Sequence, residues 1–146
     1  MAQKLLKGIW FVSMVAALGT LLYVYAGLPL EVVIQSEGGS NVSISNEAFF
    51  YAVMMFLAIS NVMVFVAGKL FQRDEDFKAW FYGLIMTLNV FFVVALFYIS
   101  QYNSNENFDF GRVAFLIYGS VALIIIWAAS WPVYLIFRRL KSKPSI

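Results

Sequence analysis

Residues 79–100 read AWFYGLIMTLNVFFVVALFYIS, a run without one Asp, Glu, Lys, Arg or His. As a helix rising 1.5 Å per residue it would cover about 33 Å, enough to cross a hydrocarbon core of about 30 Å. Asn89 is the most polar side chain along it. Three more runs of this kind flank it, at about 8–26, 48–68 and 112–137, and none has a charged residue in its interior. Across the 146 residues, 62% are hydrophobic and 12% charged, and mean hydropathy is +0.82. A water-soluble domain carries about 45–50% apolar and about 25% charged residues, so this chain lacks the polar side chains to cover its own surface. The expected fold is an all-α integral membrane protein. It is a four-transmembrane-helix bundle forming a single polytopic domain, 1–146.

The first run is preceded by Lys4 and Lys7 and ends near Val24-Tyr25-Ala26, which loosely fits a secretory signal and cleavage site. Its apolar stretch is longer than the usual about 7–15 residues, so it reads as a retained span. Basic residues set the orientation. Lys4 and Lys7 precede span one; Lys69, Arg73 and Lys78 lie between spans two and three; Arg138, Arg139, Lys141 and Lys143 follow span four. Arg112 alone falls on the other side. Both termini are therefore predicted to be cytoplasmic, and the expected compartment is a bacterial cytoplasmic (inner) membrane.

Between spans one and two, Leu30-Glu31-Val32-Val33-Ile34-Gln35 is rich in strand formers. A Gly38-Gly39 turn and the alternating Asn41-Val42-Ser43-Ile44-Ser45 follow it. Together they predict a short extracytoplasmic β-hairpin between helices 1 and 2. Its apolar side, Val32, Ile34, Val42 and Ile44, needs cover from the membrane surface, the second outer loop or a partner, because an isolated hairpin is marginal in water. Ser45 or Asn46 can cap span two, the Asp74-Glu75-Asp76 cluster span three, and Asp109 span four.

The sequence has no Cys and no His. That removes disulfides, thiolate metal sites, the usual haem ligand and the commonest general base, and no cofactor is expected. So few charges leave no basic surface for nucleic acid. Asn61 on span two and Asn89 on span three are the most polar side chains along the helices. Counted from the ends of their spans, their depths differ by roughly 5 Å, so the two amides can pair between helices and fix register. Alternatively they form a polar site at membrane depth. Pro132 is a candidate kink near the end of span four. Arg112 can pair with Asp109 or Glu106, or reach a lipid phosphate or an acidic partner on the outer face. Arg138, Arg139, Lys141 and Lys143 make a basic patch facing anionic lipid headgroups. Small residues at Ser13/Ala17 and Ala16/Thr20 offer close helix contacts.

No nucleophile–base pair, metal cluster or phosphate-binding Gly loop is visible, so no enzymatic activity is expected. The spans also lack the intramembrane charges that transporters use. The expected role is a non-catalytic small membrane subunit that scaffolds, stabilises or assists assembly of a larger membrane complex. Its partners would be the lipid bilayer and other transmembrane proteins, met through helix faces and the outer hairpin 30–45. The alternative is an oligomeric channel or transporter component for a small solute or ion, lined by Asn and Ser.

Overall fold

The computed structural model describes residues 1–104 and 109–142. Glu106 and Lys143, both singled out above, lie outside them. Four helices and one hairpin follow each other along the chain: α1 (Ala2–Gly27), β1 (Glu31–Glu37), β2 (Ser40–Ser45), α2 (Asn46–Leu70), α3 (Glu75–Tyr102) and α4 (Phe110–Lys141). All four helices are long and apolar enough to cross a membrane. They run up, down, up and down between a hairpin end and a far end.

Each boundary has a local cause. α1 stops before Leu28-Pro29, where Leu28 is extended at φ −78° and ψ 143°, as the residue before proline prefers. Ser45 caps α2 by accepting from the Ala48 N–H at 3.2 Å. Asp74 caps α3 through the Phe77 N–H at 3.0 Å, and Asp109 caps α4 through the Gly111 N–H at 3.1 Å. The last turn of α4 carries Arg138, Arg139 and Lys141, which complement the negative end of the helix dipole.

The hairpin turns on Gly38 and Gly39, whose φ angles of 57° and 87° meet the requirement of a type I′ turn for two positive values. Val32 faces Ile44 and Val33 faces Ser43, but Gln35 faces Val42, leaving Ile34 in a bulge. The extra residue breaks the alternation expected for an apolar face of four residues. Only its base is apolar and covered: Val32 is fully buried and Ile44 half-buried, while Ile34 and Val42 remain 44% and 55% exposed. The cover comes from the chain itself. Val32 joins Ala17, Leu21 and Val24 of α1, Phe49 and Leu57 of α2 and Leu96 of α3 in one cluster at the hairpin end. A second cluster, Trp10, Val64 and Ile85, lies toward the far end.

α3 is the centre. It touches α1, α2 and α4, while α4 touches no other helix among the described residues. The expected bundle of four is thus a three-helix core with α4 laid against α3. Ser120 is the one buried residue of α4. Phe, Ile, Val and Leu surround α4 on all sides, so no stripe directs it into the core, and α1 already occupies the neighbouring face of α3.

Candidate functional site

Between the two apolar clusters, three helices meet through polar side chains. Trp10 of α1 buries its indole against Phe65 and Tyr82, edge-on at 5.7 Å in both cases. A buried indole N–H needs an acceptor, and Trp10 Nε1 donates to Asn61 Oδ1 at 2.9 Å. Because the indole can only donate, the Asn61 oxygen must face it. The Asn61 amide nitrogen then donates to the Leu57 carbonyl and to Asn89 Oδ1, both at 2.9 Å. Asn89 Nδ2 returns a bond to Asn61 Oδ1 at 3.0 Å and gives its second hydrogen to Ser13 Oγ at 2.9 Å. Ser13 passes its own hydrogen to the Trp10 carbonyl at 2.6 Å.

The two amides therefore form a closed, reciprocal dimer, tied to α1 at both ends. Asn61 is 4% exposed and Asn89 fully buried, yet Asn61 uses all four of its bonds. No buried side-chain N or O among the described residues lacks a partner. In a low-dielectric interior each such bond is strong and each loss is costly. A groove of about 380 Å³ opens beside this knot, between Trp10, Met14 and Leu18 of α1 and Met54, Ala58 and Phe65 of α2. Asn61 also lines it, but with no polar group left to offer a ligand.

The second constellation joins α3 to α4. Trp80 Nε1 donates to the Trp127 carbonyl at 2.9 Å, and Trp127 Nε1 donates to the Trp80 carbonyl at 2.9 Å. Gly83 makes room for this: a Cβ there would stand 2.2 Å from Trp127 Cζ2. Toward the far end Trp131 packs 5.5 Å from Trp80 and 5.1 Å from Phe77. Tyr134 continues the row and donates its hydroxyl to Asp76 Oδ2 at 2.7 Å. Pro132 sits inside this seam without ending the helix, which runs on to Lys141.

A third contact holds the hairpin. Asn103, at the C-terminus of α3, accepts from the Val33 N–H at 2.7 Å and donates to the Val33 carbonyl at 3.1 Å. Its amide thus pairs with the edge of β1 as a neighbouring strand would. It also donates to its own helix at the Ile99 carbonyl, 2.9 Å away.

Of the residues singled out from sequence, Asn61 and Asn89 are brought together. Arg112 lies beside Asp109 at 3.6 Å, with both side chains largely exposed. Arg138, Arg139 and Lys141 share the last turn of α4. Sequence reasoning did not name Trp10 or Ser13 as members of the knot, Trp127 or Gly83 of the seam, or Asn103 as the hairpin anchor. Gly83 did carry a signal, since a glycine inside a long helical run commonly has a packing reason. Among the described residues no group of three or more metal-ligating side chains stands together. Comparison with protein-family models, curated proteins and solved structures finds no match for the chain.

Proposed function

We propose that the chain spans the bacterial cytoplasmic membrane four times, with the hairpin outside and both termini in the cytoplasm, and serves as a non-catalytic subunit that steadies or assembles other membrane proteins. The carrying observation is α4: 32 residues long, with one buried residue and a single neighbouring helix. A helix attached along one line presents the rest of its surface to lipid or to a partner helix. Phe115, Tyr118 and Ile126 are among its most exposed side chains. The polar knot supports the same reading from the other direction. Its amides are engaged with each other and with α1, so they act as interhelical ties.

The test is purification of the native protein in mild detergent. A co-purifying transmembrane protein that is lost on Phe115→Ala/Ile126→Ala supports the subunit role. A lone monomer with no partner would sink it, and solute or ion flux in liposomes would favour a pore instead. Orientation can be read directly, because the chain has no cysteine of its own. A membrane-impermeant maleimide added to intact cells should label Ser40→Cys and spare Ser142→Cys.

A further inference from the structure

The far end of the α3/α4 seam holds a carboxylate with no ion-pair partner among the described residues. Three acids open α3, and two are occupied. Asp74 caps the helix by accepting from the Phe77 N–H, and Glu75 pairs with Lys78. Asp76 has no cationic partner among the described residues and accepts only from the neutral hydroxyl of Tyr134, at 2.7 Å. Its carboxylate borders an open groove of about 360 Å³ whose other walls include Trp80, Ser130, Trp131 and Tyr134. That volume lies within the range of small-ligand sites, about 300–1,000 Å³.

Three of the walls are aromatic side chains. Trp131 stands between Trp80 and Tyr134, with ring centroids 5.5 Å apart on each side and planes tilted by 34° and 32°. A carboxylate beside indole and phenol faces attracts a cation, and aromatic surfaces accept alkylated ammonium groups without stripping away strong hydration. An anion would meet the Asp76 charge. Arg138 follows Tyr134 by four residues, so the two lie on one face of α4, and it supplies a positive charge one turn beyond the groove.

The geometry points to a binding site for a phospholipid headgroup that carries a cationic nitrogen beside its phosphate, the nitrogen resting on Trp131 against Asp76 and the phosphate reaching toward Arg138. This assignment rests on the membrane-spanning reading, which puts Trp80 and Trp131 at the level of inner-leaflet headgroups.

The experiment titrates the full chain in a neutral detergent with short-chain phosphatidylethanolamine, phosphatidylcholine and phosphatidylglycerol, and with free phosphoethanolamine, following tryptophan fluorescence. The two lipids with a cationic nitrogen should bind saturably and the anionic phosphatidylglycerol should not. Asp76→Asn should weaken binding of these two lipids by about tenfold, and Trp131→Leu should weaken it in the same direction by a few fold. Equal binding of phosphatidylglycerol, or an Asp76→Asn variant that is folded by circular dichroism and binds as well as wild type, would overturn the assignment. Free phosphoethanolamine binding as tightly as the lipids would overturn a lipid source. An alkaline wash of membranes, run in parallel, separates the two levels. Release of the chain sinks the spanning reading and the headgroup site with it, whereas retention with no headgroup preference sinks the site alone.

Discussion

The knot and the seam solve one problem with the same device and unequal thoroughness. In each, two residues exchange hydrogen bonds across a helix pair: Asn61 with Asn89, and Trp80 with Trp127. The knot is buried and draws in a third helix through Trp10 and Ser13. The seam is largely exposed and joins two helices. Where the surroundings are as apolar as the helix, burial of apolar surface does not discriminate between neighbours, and directional bonds with close packing set register. The core is therefore fixed in depth and rotation from three sides, while α4 is fixed from one.

The sharpest way to break the contrast is Asn61→Leu. It strips Trp10 of its acceptor and Asn89 of two hydrogen bonds in one step. Groups stranded in this way cost about 1–3 kcal/mol each in soluble proteins, less in membranes where unfolded helices find other partners. A net loss of about 2–3 kcal/mol is expected, measured by unfolding in mixed micelles. Asn61→Leu/Asn89→Leu should cost less than the sum of the two single changes, by about 1 kcal/mol. Strict additivity would mean that the amides do not hold each other.

Next in size is the seam. Gly83→Leu drives a side chain into the space of the Trp127 ring, and overpacking of this kind costs about 1–3 kcal/mol. The loss should be local. A bifunctional maleimide should join Asp76→Cys to Tyr134→Cys efficiently in the parent chain, where the native side chains touch, and poorly once Gly83→Leu is added. The α1–α3 core should keep its stability. If the core loosened equally, the distinction between a locked core and a flanking helix would fail.

How much of this arrangement was legible depends on whether a residue announces its direction. Asn61 and Asn89 stand out in uncharged runs, and counting from the span ends puts their depths within reach of each other. The knot's third wall was only partly legible. The Ser13/Ala17 spacing marked one contact face of α1, but Ala16/Thr20 marked another in the same way, and nothing tied Trp10 to either. The hairpin could be read from Gly38-Gly39 and its flanking strand formers, whereas the bulge at Ile34 could not, because strand propensity does not mark which residue the pairing skips. α4 gave least. Its length and its cap at Asp109 follow from sequence, but its attachment to α3 alone depends on Gly83 receiving Trp127, and that is a matter of shape.

The hairpin belongs to the core by this measure, and Asn103→Ala asks how firmly. The substitution removes both bonds to Val33 and one to Ile99. The buried Val32 remains, so a loss of about 1 kcal/mol is expected. Amide exchange at Val33 and Ile34 should quicken while exchange in α1 to α3 stays slow. Unfolding of the whole core at lower denaturant, with no local change, would mean that the hairpin is an integral layer and not a tethered one.

Arg112→Ala should do least, and that small effect is itself informative. The Arg112 side chain is 89% exposed and sits 3.6 Å from Asp109, itself 69% exposed, an arrangement that rarely contributes measurable stability. Asp109 keeps its bond to the Gly111 N–H without it, so the start of α4 should hold and thermal stability should not change. Orientation should not change either, since the other nine of the ten Lys and Arg residues lie toward the proposed cytoplasmic side. Maleimide labelling of Ser40→Cys in the Arg112→Ala background measures this. Reversed labelling would mean that one outer arginine directs the insertion of α4, and that the flanking helix is positioned by its own charge and not by its seam with α3.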